Sequence, residues 1–307
     1  MKKWVLLSVL IVLAGSVYIF IPGKLTIVKT TKGQSSITAA HRYFLDTSKW
    51  SRWWPGVQQG PSFAYDGEVY EITGIFYNEI RFRMQGGGDS GIRGALRIGE
   101  VSGDTVLMGG ECVLPTGNNP VGRIVAYQRG KKILGNMSGI LSAFKTFIEE
   151  KKNVYGVDIE HTYSKDSVLI TLVNFVQEYP STELIYRMLD SVRAYVDAEG
   201  AKVITPPLLN VSRRADSQYR TMVALSVDRQ LKGTKRIIQK RFVPYKMIEA
   251  EVTGGVYKVD RAMEQLFKYR DDSHLSIMSI PFELLITDRR KEQDTSRWVT
   301  RVCAPIS

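Results

Sequence analysis

The strongest constraint in this chain is that its C-terminal half carries one short pattern twice. Residues 167–177 alternate like a strand, and a helix then starts near Ser181, with Glu183 in its first turn. Leu184, Met188, Val192, Tyr195 and Val196 mark one helical face, and Gly200 closes it. Strands follow at 207–213 and 219–227. The second copy opens with a strand at 242–253. Val256, Val259, Met263, Leu266 and Phe267 mark its helix, and 281–287 and 298–306 are its closing strands. The last strands align residue by residue at constant spacing: Tyr219 with Trp298, Thr221 with Thr300, Val223 with Val302, Val227 with Ile306. A strand–helix–strand–strand unit this small buries its apolar faces only against its neighbour. The repeat therefore predicts two copies about a pseudo-twofold axis, with a groove between them.

The rest of the chain has room for one more domain of ordinary size. The segment 36–50 reads as a short strand and then a helix. Four alternating runs come next, at 67–76, 78–85, 92–101 and 105–114, with Asn78 and Gly86-Gly87-Gly88-Asp89 as turns. Ile133, Met137, Ile140, Leu141, Phe144 and Ile148 then recur at three- and four-residue spacing, one face of a long helix that starts after Pro120. A curved antiparallel sheet gripping that helix would enclose a cavity.

Ahead of this lies an apolar run from Trp4 to Ile21, closed by Pro22-Gly23. Eighteen residues reach roughly 27 Å, so the run is expected to be a transmembrane anchor. Leu13-Ala14-Gly15 offers a signal-peptide cut, but the stretch stays apolar past it, which favours an uncleaved anchor. Lys2 and Lys3 lie on one side and Lys24, Lys29 and Lys32 on the other, nearly a tie. The three-residue tail places the rest of the chain outside the cytoplasm, in a single-pass membrane protein. The expected organisation is α+β: an anchor over 1–23, a helix-grip domain over 26–150, and a tandem-repeat domain over 154–307.

The net charge of +11 is spread thinly, with no Lys/Arg run above three residues, so no nucleic-acid partner is expected. His41, His161 and His274 are scattered, without the spacing of a metal site. Cys112 and Cys303 sit in strand-like apolar runs and read as small buried hydrophobes. The triple glycine has no Gly-Lys-Ser/Thr after it and is no phosphate loop. Neither a Gly-x-Ser-x-Gly elbow nor a Cys–His constellation is present. Nothing calls for a cofactor.

Two resemblances follow from these residues. The stretch Leu45-Asp46-Thr47-Ser48-Lys49-Trp50-Ser51-Arg52-Trp53-Trp54-Pro55, with the order of elements around it, resembles the SRPBCC (START-like, polyketide-cyclase-like) superfamily. That implies an apolar ligand cavity. Trp50, Trp53 and Trp54 then either plug the core beside the first helix or line the cavity mouth. The tandem repeat resembles the GyrI-like effector-binding domain of AraC- and MerR-type regulators. The carrying residues are Gly254-Gly255, the run Pro281-Phe282-Glu283-Leu284-Leu285-Ile286-Thr287-Asp288, and the terminal Arg297–Ile306 segment. It implies a pocket in which Glu283 attracts cations, with Tyr245, Tyr257, Phe282 and Trp298 as aromatic lining. Glu283 is otherwise a structural carboxylate, and the aromatics plain core.

The expected function is reversible binding of an apolar or cationic amphipathic small molecule at a membrane, for sequestration, transfer or sensing. No helix-turn-helix precedes the repeat to make it a regulator of transcription. A hydrolase using the groove around Glu283 is the alternative. It lacks a second acid, because the first-copy counterpart of Glu283 is Leu209. A scaffold with filled cavities is the third reading.

Overall fold

A computed structural model describes residues 2–85, 91–164, 167–242 and 244–307. The chain divides into two compact units, Met1–Glu150 and Lys151–Ser307. The turn expected at 86–89 lies outside the described residues.

The first unit runs α1 (Lys2–Phe20), β1 (Lys24–Gln34), α2 (Ile37–Phe44), a 3-10 turn at Thr47–Arg52, β2 (Val57–Gln59), β3 (Ser62–Tyr65), β4 (Glu68–Ile75), β5 (Glu79–Met84), β6 (Ile92–Ser102), β7 (Thr105–Pro115) and α3 (Pro120–Glu149). The strands form one antiparallel sheet in the order β1-β7-β6-β5-β4-β3-β2. No strand starts at Ser36, where a short one was expected: β1 already ends at Gln34 and α2 begins at Ile37. Ser36 is instead the helix cap, accepting from the Ala39 amide at 3.2 Å. Asn119 caps α3 the same way, with Pro120 in the first turn. Ile133, Met137, Ile140, Leu141, Phe144 and Ile148 are all buried, the face that the spacing marked. The helix presses closely on the sheet. A Cβ on Gly139 would lie 2.5 Å from the Tyr65 hydroxyl, so a larger residue there would have to push the Tyr65 ring aside.

The expectation of a transmembrane anchor over residues 4–21 is overturned. Among the described residues, no helix is long and apolar enough to cross a membrane. Helix α1 has 19 residues and rises roughly 28 Å, but its last turn is held by polar groups. The Tyr18 hydroxyl donates to the Asn118 carbonyl, and the Arg123 guanidinium lies 4.3 Å over the Tyr18 ring. Arg123 Nη1 also donates to the Ile21 carbonyl at 2.6 Å. What stands clear of these groups falls short of the roughly 30 Å hydrocarbon core. The single-pass membrane location and its extracytoplasmic side fall with the anchor.

The second unit runs α4 (Lys151–Tyr155), β8 (Glu160–Tyr163), β9 (Ser167–Val176), α5 (Thr182–Ala198), β10 (Leu208–Arg213), β11 (Tyr219–Val227), β12 (Ile237–Phe242), β13 (Lys246–Thr253), α6 (Val256–Asp272), β14 (Phe282–Leu285), a 3-10 turn at Thr295–Arg297 and β15 (Val299–Ile306). Both repeats share one antiparallel sheet, ordered β12-β9-β11-β10-β14-β15-β13-β8. Two elements were not legible in sequence. The strand expected over 242–253 is β13, which starts at Lys246, whereas β12 ahead of it and β8 were both missed. These additions are reciprocal. β12, which leads into the second copy, pairs with β9 of the first, while β8, which leads into the first, pairs with β13 of the second. At the sheet's centre Leu209 faces Glu283 directly, so the counterparts named from sequence meet across the pseudo-twofold.

Candidate functional site

Strand alternation sends successive β14 side chains to opposite faces of the second sheet. Glu283 lies opposite Leu209 and Val302, and Leu209 belongs to the apolar cluster under α5. Glu283 is therefore on the helix side. It is 8% exposed, and the Arg289 guanidinium reaches it, Nη2 to Oε2 at 3.1 Å. The same Nη2 donates to Thr300 Oγ1 at 2.9 Å. The guanidinium lies 4.9 Å over the Trp298 ring. Trp298 is fixed in turn by donating from Nε1 to the Glu292 carbonyl at 2.9 Å. The Arg289 amide donates to the Tyr186 hydroxyl at 2.8 Å, which ties the loop after β14 to α5.

Burial pushes the Glu283 carboxyl above its usual range, and the Arg289 charge pulls it back. Asp260, on α6, adds a smaller upward push. An anion and an aromatic face thus already hold a cation, and that cation is the protein's own Arg289. Removing one partner from such a pair leaves an uncompensated buried charge.

Phe282 and Tyr245 stand apart from that cluster, on the opposite face. Leu208 lies opposite both Ala224 and Leu284, and these side chains join Phe282, Leu169, Met247 and Tyr245 in a separate apolar cluster. A cleft of about 120 Å³ opens there, with Leu169, Leu208, Ala224, Phe282 and Tyr245 among its walls. Met222, Asn210, Lys240, Arg241 and Ser279 are among its polar and mixed sides. Tyr245 is held at the backbone by Ser164, whose Oγ accepts its amide proton at 2.9 Å. The structure thus divides the residues expected at one site. Glu283 and Trp298 are together under the helices, Phe282 and Tyr245 are together in the cleft, and Tyr257 is 73% exposed.

In the first unit Trp50, Trp53 and Trp54 are buried. Trp50 stacks on Trp54 with ring centroids 5.1 Å apart and meets Phe63 at 4.8 Å, while Trp53 meets Phe144 of α3 at 4.6 Å. Each indole N–H is satisfied by a backbone carbonyl: Phe44 at 2.8 Å, Tyr43 at 3.2 Å and Ala64 at 3.2 Å. The three rings pack between Phe63 of β3 and Phe144 of α3. Behind them Arg129 makes a two-point ion pair with Glu68, at 2.9 and 2.7 Å.

Sequence reasoning missed Arg289 and the cleft wall. Arg289 sits in the polar run Asp288-Arg289-Arg290-Lys291, which looks like a solvated turn. The only signal was its nearness to Glu283. Leu169, Leu208 and Ala224 read as ordinary strand residues, and nothing local distinguishes cleft from core.

No known family profile matches the chain, and no curated protein does. Among solved structures it is similar to the EcmrR C-terminal domain, at 13% identity and a TM-score of 0.43, covering 49% of this chain and 98% of that one. A hydrolase from Listeria innocua matches at 13% identity and a TM-score of 0.39, over 48% of this chain and 91% of its own. SAV2435 bound to tetraphenylphosphonium matches at 15% identity and a TM-score of 0.33, over 48% and 93%. At these scores the likeness is loose.

Proposed function

We propose that residues 151–307 are a small-molecule-binding module of the GyrI-like kind, and that its ligand lies in the cleft on the sheet face opposite α5. The observation that carries this is the cleft itself, a partly open hollow with Leu208, Ala224 and Phe282 at its floor and a few polar groups at one edge. A concave apolar surface with few polar groups is the common form of a small-molecule site. Glu283 is assigned a structural part. With Arg289 in place, a cationic ligand would have to displace a buried, stacked guanidinium. For the same reason hydrolysis through Glu283 is not favoured, since its carboxylate is engaged. The first unit is proposed to be an SRPBCC-like helix-grip domain whose hollow is taken up by its own tryptophans, so that it serves as a scaffold.

The test is titration of the full chain with the neutral dye N-phenyl-1-naphthylamine. A single-site fluorescence rise is expected. Met222→Trp, which places an indole in the cleft from a half-buried position, should abolish it while leaving the thermal melt nearly unchanged. Equal dye binding by parent and variant would remove the cleft as the site.

A further inference from the structure

At the polar edge of the cleft and just beside it, two cations are drawn to one sulfur. Arg220 of β11 and Lys240 of β12 approach Met222 Sδ, Nη2 at 3.6 Å and Nζ at 3.9 Å. Arg220 also donates from Nη1 to Asn210 Oδ1 at 3.4 Å. Asn210, Met222 and Lys240 all line the cleft. A thioether and an amide oxygen are neutral acceptors. They do not offset the repulsion between two like charges gathered at one spot. A bound anion would.

Asp216, in the turn ahead of β11, is met by Arg214 at 3.6 Å. No Asp or Glu is among the described residues lining the cleft. Glu283 is on the other face, paired with Arg289. Glu249 and Glu251 of β13 are met by Arg301 at 3.5 and 3.2 Å. The local field at the cleft edge is therefore positive, and the floor beside it is apolar.

We infer that the cleft takes an amphiphile with an anionic head, a carboxylate or sulfate on an apolar body. The head lies between Arg220 and Lys240, and the body lies over Leu208, Ala224 and Phe282. This rests on the ligand-binding role proposed for the cleft and names the chemistry of its ligand. It reverses the charge preference that the GyrI-like resemblance implies, because the carboxylate on which that preference depends is neutralised internally. Arg220 supplies a planar fork suited to two carboxylate oxygens, and Lys240 a point charge on a flexible stem.

The experiment is displacement of N-phenyl-1-naphthylamine from the full chain by three ten-carbon probes, decanoate, decanol and decyltrimethylammonium, all below micelle formation. Decanoate should displace the dye at about tenfold lower concentration than decyltrimethylammonium, the size expected of a charge-assisted contact. That preference should shrink as salt rises. The double variant Arg220→Gln, Lys240→Gln should lose most of it, the preference being read as the ratio of decanoate to decyltrimethylammonium displacement after each variant's own dye affinity is measured. Lys240→Gln alone, at an exposed position, should lose part of it and guards against a folding defect in the pair. Equal or reversed preference in the parent overturns the head-group assignment, as does a preference untouched in the double variant. Failure of the dye itself to bind the parent sinks the cleft as a site altogether, which is a separate result.

Discussion

Both units lay helices against an antiparallel sheet, yet they spend their aromatic residues in opposite ways. In the first, Trp50, Trp53, Trp54, Phe63 and Phe144 are packed ring on ring, and the three indole N–H groups are satisfied inside. In the second, Phe282 and Tyr245 sit beside a hollow on a face away from α5. Buried rings alone therefore do not distinguish a plug from a pocket. The distinction lies in whether the space in front of the ring is filled by another part of the chain. In the first unit α3 fills it. In the second, the Glu283–Arg289–Trp298 cluster lies on the helix side, and the cleft is on the opposite face.

This contrast can be broken most sharply at Trp50, which is fully buried. Trp50→Ala should cost about 3–5 kcal/mol, the range for losing a large core aromatic, measured by urea denaturation of the full chain. A loss under about 1 kcal/mol would mean that the tryptophans border a cavity after all.

Next comes Arg289→Met, which strands the Glu283 charge and should cost about 3 kcal/mol at pH 7. The pH dependence has a definite sign. Burial raises the Glu283 pKa in the folded protein, and losing Arg289 raises it further. An acid that holds its proton more tightly when folded adds stability below its unfolded pKa and loses it as pH rises through the folded one. The variant should therefore recover stability relative to the parent as pH falls from 7 toward 5. Adding Glu283→Gln should restore much of the loss at pH 7. A pH-independent deficit would mean that packing, not charge, is at stake.

A smaller effect is expected at the Ser36 cap. Ser36→Ala should cost about 1 kcal/mol, seen in the same denaturation experiment. The smallest is at Tyr257. Because its ring is exposed, Tyr257→Ser should change stability by less than about 0.5 kcal/mol and leave dye binding unchanged. A clear loss of dye affinity would return Tyr257 to the site and blur the separation between the two faces.

The long, regular elements were legible because their signal is local. Helix α3 repeats its apolar residues over several turns, and β4 to β7 alternate between clear turns. The strands β8 and β12 were not legible, since both are short edge strands whose pairing depends on residues far away in sequence. The residues expected at one pocket are likewise divided between two faces of the sheet. Alternation along β14 put Phe282 and Glu283 on opposite faces, but it could not say which face a helix covers. Nor could it show that one of the cations after Asp288 folds back beneath Trp298. That contact is made by the loop closing on itself, and no periodicity records it.

The exchange of edge strands has a consequence for what half of this unit is. A polypeptide holding only β8, β9, α5, β10 and β11 would own a strand with no edge to join and an edge with no strand to join it. Two identical copies would cure each other's deficit, so the natural form of the half is a homodimer with swapped arms. The present chain has the pairing pattern of such a dimer on one polypeptide. Its halves need not be identical, and the seam uses that freedom: where one half has Leu209, the other has Glu283. An identical pair with glutamate at this position would bring two carboxylates face to face at the axis, each needing its own counter-charge. A single chain can charge one side and leave the other apolar.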